Sequence, residues 1–196
     1  MKIILASKSP ARARVLTLAG IAFETSVSNF DEQTFLASIG DLSFAEQVRL
    51  LAIEKARVVA TEFPDDFVIA CDSSFEFEGE LLGKPKTVER ARATIERYSG
   101  RTGELHTGHA LIYKGEVRSM TKTSFIEFAE FSESELEAYL ATGESLEVAG
   151  GFTIDGYGGC FIKSITGDYQ NIVGISLIAL NDLLKEFGRD ITEFWK

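Results

Sequence analysis

The chain has 196 residues, 45% of them hydrophobic and 26% charged, with 15 Phe; this composition excludes a disordered or fibrous protein and gives one domain chain enough for a sizeable core. Its 30 acidic against 20 basic side chains leave a formal net charge of -10, which argues against a broad electrostatic surface for DNA, RNA or anionic membrane. A small anionic ligand is not excluded, because a local cationic pocket can sit on an acidic protein.

Two cysteines, Cys71 and Cys160, are too few for a disulfide framework, and both stand in apolar runs, so buried free thiols are expected. The N-terminal apolar stretch at residues 3–6 is too brief for a signal segment, and no apolar run reaches membrane-spanning length. The expectation is a cytoplasmic protein with no membrane partner.

In chain order, Lys2 to Ala6 is predicted as a strand. Ser9-Pro10 opens a helix, with Ser9 as N-cap and Pro10 at the first helical position; Val15, Leu16 and Ala19 follow at helical spacing and Gly20 stops it. Ile21 to Val27 is a second strand, and Asp31-Glu32 is expected in the loop after it. A long helix spans Ser43 to Phe63 from the capping box Ser43-x-x-Glu46, with Phe44, Val48, Leu51, Ala52, Ala56, Val59 and Phe63 as its apolar stripe. Phe67 to Asp72 is apolar enough for a central strand. Thr87 to Tyr98 is predicted helical, with Ala91, Ile95 and Tyr98 on one face. Leu105 to Tyr113 and Val117 to Phe131 are long strands joined at Lys114-Gly115-Glu116. A second capping box, Ser132-x-x-Glu135, opens a short helix ending near Gly143; Cys160 to Ile165 is a late strand and Ser176 to Phe187 the last helix. The sum is a mixed α/β chain with some antiparallel pairing, a single domain over residues 1–196 with room for two lobes about a central cleft.

Several chemistries are excluded. His106 and His109 are three apart on a strand, so they face opposite ways and cannot join on one metal. The segment from Gly79 to Pro85 superficially resembles a phosphate loop but is one residue short, and Pro85 replaces the hydroxyl residue that Mg²⁺ needs. The glycines at 156, 158 and 159 do not follow the dinucleotide fingerprint, and no GxSxG elbow occurs.

Other groups carry candidate chemistry. Leu5 to Arg12 joins a strand to a helix start, where free amide N–H groups and the helix dipole favour phosphate, with Ser7, Ser9, Lys8 and Arg12 alongside. Ordinary capping also explains Ser9. Asp72 shares a strand face with Val68 and Ala70 and is expected where the buried strand meets its loop, as a metal ligand or general base, or else as a turn-forming Asp before Ser73-Ser74. Asp31-Glu32 offers adjacent carboxylates for Mg²⁺, or an ordinary acidic surface. Lys55, among Ala52, Ala56 and Val59, either snorkels or points into a site. Lys84 stands in a Gly-flanked loop from which an ammonium could reach a phosphate.

Together these segments resemble the Maf-like nucleotide pyrophosphatase family. The likeness runs from LASKSPARARVL through Asp31-Glu32, LAIEKAR, IACDSSFEFEGELLGKP, Tyr98-Ser99-Gly100 and LHTGHALI to VAGGFTIDGYGGCFIKSITGDYQNIVGISL, nearly the whole chain in order. The resemblance implies an elongated mixed β-sheet domain flanked by helices, the inosine-triphosphatase-like (Maf-like) fold, often found as a homodimer. It implies hydrolysis of a nucleoside triphosphate to a monophosphate and pyrophosphate with Mg²⁺ or Mn²⁺, and a role in limiting incorporation of modified nucleotides. By position Ser7, Arg12, Glu32, Lys55, Asp72 and Lys84 match the family's polar cleft residues, with Asp72 as proton acceptor and Asp72 with Glu32 on the metal. A free nucleotide is then the expected partner, not polymeric nucleic acid.

Three departures mark a variant subgroup similar to actinobacterial members. Ala11 stands where the commonest form has the first of two adjacent arginines, Asp155 where many members have Gln, and Ser176 where many have Pro. They bear on nucleobase preference more than on phosphate chemistry. The alternative they leave is a nucleotide-binding regulator of cell division with little turnover.

Overall fold

The computed structural model describes residues 1–196. In chain order its elements are β1 (Ile3–Ala6), α1 (Pro10–Leu18), β2 (Phe23–Ser26), α2 (Glu32–Ser38), α3 (Phe44–Ala60), β3 (Phe67–Phe77), β4 (Glu80–Leu82), α4 (Val88–Ile95), β5 (Thr102–Tyr113), β6 (Glu116–Phe128), α5 (Glu133–Ala141), β7 (Ile162–Thr166), α6 (Tyr169–Val173) and α7 (Leu177–Glu186). The strands form a seven-stranded mixed sheet in the order β2-β1-β3-β5-β6-β7, with β4 paired to β3. The chain divides into two compact units, residues 1–72, 107–122 and 174–196 in the first and residues 73–106 and 123–173 in the second.

The first unit is built on parallel pairing. β1 pairs with β2, Ile3 opposite Phe23, and with β3, Ile3 opposite Phe67. α3 buries Ala52, Ile53, Ala56 and Val59 against Ile4, Ala6, Val68, Ala70, Ala110 and Ile112. Small side chains let the helix come close: a Cβ at Gly108 would lie inside contact distance of the Val48 backbone carbonyl. Thr121 Oγ1 donates to the Ala45 carbonyl at 2.8 Å, fastening the same helix to β6. Phe67 stacks on Tyr113 at 4.2 Å and meets Phe187 and Phe194 edge-on at 5.7 Å each.

The second unit is built on antiparallel pairing and an aromatic core. β3 turns into β4 through Glu78 and Gly79, both at positive φ, the backbone that a tight hairpin turn requires. Phe75, Tyr98, Phe128 and Phe152 interlock with centroids 4.7–6.2 Å apart. The buried Tyr98 hydroxyl donates to the Gly150 carbonyl at 2.8 Å, so its polar end is satisfied.

Local signals placed most elements. Ser9, Ser132 and Ser176 each cap their helices, and the Ser132–Glu135 box closes reciprocally. Five expectations need correction. Asp31-Glu32 is not a loop: Asp31 caps α2, accepting from Thr34 N–H at 3.1 Å. Ser43 caps α3, but Glu46 turns away to Arg49, so only half of that box forms. β3 does not end at Asp72 and no turn follows it; the strand runs on because Phe75 and Phe77 resume the buried alternation. The late strand starts at Ile162, after a 3₁₀ segment at Tyr157–Phe161. Cys71 is buried, whereas Cys160, in that segment, is exposed.

Candidate active site

The first unit gathers most of the residues singled out in the sequence. α1 begins at Pro10, and the first amide groups of a helix have no partner within it. Ser9 Oγ accepts from Arg12 N–H at 3.4 Å, and Ser7 Oγ accepts from Ser9 N–H at 3.1 Å. Both hydroxyls therefore organise the strand-to-helix turn as well as lining it.

Arg12 is anchored more firmly than a ligand-binding arginine on an open surface. Its Nε donates to the Gly174 carbonyl at 2.8 Å, and its Nη1 donates to the Cys71 carbonyl at 2.8 Å and to Ser7 Oγ at 3.2 Å. One guanidinium thus ties α1 to Ser7 just after β1, to β3 beside Asp72, and to the segment before α7. It supplies positive charge to the site from a fixed position.

Asp72, Lys55 and Glu32 form the centre. Lys55 Nζ lies 2.5 Å from Asp72 Oδ1 and 2.9 Å from Glu32 Oε1. α3 aims Lys55 there because Ala52 and Ala56, on either side of it, press the helix onto the sheet. The side chains of Lys55 and Asp72 are 14% and 16% exposed, while Glu32 on α2 is 49% exposed. Burial raises the proton affinity of Asp72 above that of an ordinary carboxyl; Lys55 and Arg12 oppose the rise and Glu32 adds to it. The product is a buried carboxylate, more basic than usual, with one face against an ammonium. Beside it the Cys71 thiol is pushed up to about 12 by burial, so it stays protonated and inert.

One oxygen from α2 and one from β3 converge on a single cationic nitrogen, a donor set of the kind that hard divalent cations take. Lys84 lies in the second unit, in the chain between β4 and α4, exposed, with Nζ 3.8 Å from Glu147. The structure brings Ser7, Ser9, Arg12, Glu32, Lys55 and Asp72 together in the first unit.

Two features were not foreseen. His109 Nε2 accepts the backbone N–H of Ser176 at 2.8 Å, and Ser176 Oγ accepts from Ala179 N–H at 3.0 Å. A proline at 176 has no N–H to give, so His109 and Ser176 are one coupled feature. The second is His106, buried in the second unit beside Glu76 and Glu104.

The model of the family described as Maf-like protein matches residues 2–187. The chain belongs to the Maf-like family. Among curated relatives, a protein of Saccharopolyspora erythraea named nucleoside triphosphate pyrophosphatase is 43% identical, covering 100% of this chain and 97% of its own length. Proteins of the same name from Trichormus variabilis and Mycobacterium ulcerans are 40% and 42% identical, covering 98% and 99% of this chain and 97% and 96% of theirs. A solved structure titled nucleoside-triphosphatase, dITP/XTP pyrophosphatase, from Mycobacterium abscessus aligns over 96% of both chains at 13% identity with a TM-score of 0.42. No helix of this Maf-like chain is long and apolar enough to cross a membrane.

Proposed function

We propose that this chain is a nucleoside triphosphate pyrophosphatase, cleaving a triphosphate between its α- and β-phosphorus to give a monophosphate and pyrophosphate. The observation that carries the reading is the contact chain Asp72–Lys55–Glu32, a buried basic carboxylate and a second carboxylate held on one ammonium. The shared name of the curated relatives supports it.

The triphosphate lies against the N-terminus of α1, where the Ala11 N–H, Ser7 and Ser9 meet phosphate oxygens, Arg12 N–H being taken by Ser9 and Pro10 having none, and Arg12 adds a fixed charge. Lys55 neutralises the reacting phosphate while holding Asp72 in place. Asp72 takes a proton from water, which its raised proton affinity favours. The water oxygen bonds to the α-phosphorus in line, the bond to the bridging oxygen breaks, and pyrophosphate leaves with that electron pair. No covalent enzyme intermediate is needed. Glu32 and Asp72 are the residues that would hold Mg²⁺ or Mn²⁺, and such a cation, when bound, offsets charge on the phosphates. Lys84 is assigned to the outgoing pyrophosphate on the family resemblance. Ala11, Asp155 and Ser176 are assigned to nucleobase preference, with modified nucleotides among the substrates.

The test is a panel of standard and methylated nucleoside triphosphates with Mg²⁺ or Mn²⁺, assayed for pyrophosphate before and after a chelator. Pyrophosphate from at least one member, abolished by chelation, is expected. Tight binding with no pyrophosphate from any member would favour the nucleotide-binding regulator instead.

A further inference from the structure

We propose that Glu76, Glu104 and His106 form a second divalent-cation site, separate from Asp72 and Glu32 and selective for Mn²⁺, Co²⁺ or Zn²⁺ over Mg²⁺. Glu104 and His106 are alternate residues of β5 and so share a face, and Glu76 on β3 completes the group. Their ligand atoms all lie within 4.8 Å of one another. His106 is only 5% exposed, so its imidazole is held in place by its surroundings. Its Nε2 lies 3.0 Å from Glu76 Oε2 and 4.0 Å from Glu104 Oε2.

The other ring nitrogen supports the assignment. Nδ1 lies 2.9 Å from Thr123 Oγ1, the outer hydrogen bond by which metal-bound histidines are oriented. A hydroxyl serves both states of the ring. The tautomer with its proton on Nε2 donates to Glu76 and accepts the Thr123 hydroxyl at Nδ1. With a cation on Nε2, the ring carries its proton on Nδ1 and donates to Thr123 Oγ1.

Charge and donor type set the selectivity. Two carboxylates balance a divalent charge, and an imidazole nitrogen favours the borderline ions over Mg²⁺ or Ca²⁺. In a bound site donor atoms stand roughly 3–3.5 Å apart, as bonds of about 2.1 Å require. Glu104, 43% exposed, is free to close that gap by a rotamer change. Ser74 Oγ, two residues before Glu76 on the same face of β3, is buried without a hydrogen-bond partner. The Asp72–Glu32 pair offers oxygen only, so the two sites differ in preference.

Metal-stripped protein is titrated with Co²⁺ and followed by visible absorption, and with Zn²⁺ and followed by ¹⁵N shifts of the His106 ring. Wild type and Asp72→Asn should both show the nitrogen-ligated Co²⁺ band and a change of ring tautomer with Zn²⁺. His106→Gln and Glu104→Gln should lose that band or weaken it at least tenfold; Glu104 is exposed enough for its variant to fold, which circular dichroism checks. Identical Co²⁺ titrations in wild type and both variants, or a ring spectrum unmoved by saturating Zn²⁺, would overturn the site. Because Asp72→Asn is an arm of the experiment, failure of this site and failure of the pyrophosphatase reading are read separately.

Discussion

Replacing Lys55 with Met removes the ammonium and leaves a carboxylate in a site where its side chain is only 16% exposed. Breaking a buried pair from one side costs about 3–5 kcal/mol, because the remaining charge keeps its desolvation cost and loses its partner. Here Arg12 stays nearby and lowers the penalty, so about 3 kcal/mol is expected. For a chain of this size that corresponds to a fall of about 6–12 °C in Tm. The Glu32 contact adds little, since that carboxylate is 49% exposed. Neutralising both partners, in Lys55→Met/Asp72→Asn, should bring stability back to within about 1 kcal/mol of wild type, because no buried carboxylate is then left without its ammonium. The pH dependence has a definite sign. Burial already raises the Asp72 proton affinity in the folded state, and loss of Lys55 raises it further. The folded state then binds the extra proton, so the Lys55→Met deficit is largest at neutral pH and shrinks as pH falls towards the ordinary Asp value, about 3.9. Urea unfolding of wild type, Lys55→Met, Asp72→Asn and the double variant at neutral and acid pH measures the cycle. A single variant as stable as wild type, or a double variant no better than the single, would refute the pairing.

Gly108→Ala should lower stability by about 3 kcal/mol or prevent soluble expression, since the added Cβ meets α3 backbone at Val48 rather than a side chain that can move; an unchanged urea midpoint would contradict that packing. Ser176→Pro removes both the N–H on His109 and the hydroxyl cap of α7, a loss of about 2–3 kcal/mol readable in the same unfolding assay. With a thiol pushed up to about 12 and fully buried, Cys71 has about one part in ten thousand as thiolate at pH 8. A thiol reagent should therefore label only Cys160 in the native protein and both cysteines in denaturant; fast labelling of two would place Cys71 at the surface.

Sequence legibility followed the range of the forces involved. Ser9-Pro10 and the Ser132–Glu135 box act within one helical turn, so spacing alone placed both helix starts. α2 buries no side chain, so no apolar period marked it and Asp31-Glu32 read as loop. Asp72-Ser73-Ser74 broke an apolar run that Phe75 and Phe77 then resume, and a polar interruption in a strand looks locally like its end. At the site, the residue types and their order were legible, and the family resemblance joined them. The Arg12 contacts with Gly174 and Cys71 were not, because they join segments far apart in the chain. His106 and His109 do face opposite ways, as their spacing requires. The alternation of Glu104 and His106 was there to be read, but Glu76 joins them only through strand pairing.

In the proposed reaction Asp72 is the base for pyrophosphate release. The most direct measurement compares wild type with Asp72→Asn on the best triphosphate of the panel, scoring pyrophosphate and nucleotide affinity together. Loss of the base should reduce turnover by about 10²–10⁴-fold while affinity changes by a few fold at most. Asn is close to Asp in shape, and Lys55 keeps Glu32 as a partner in that variant. Near-normal pyrophosphate release from Asp72→Asn would rule out Asp72 as the base.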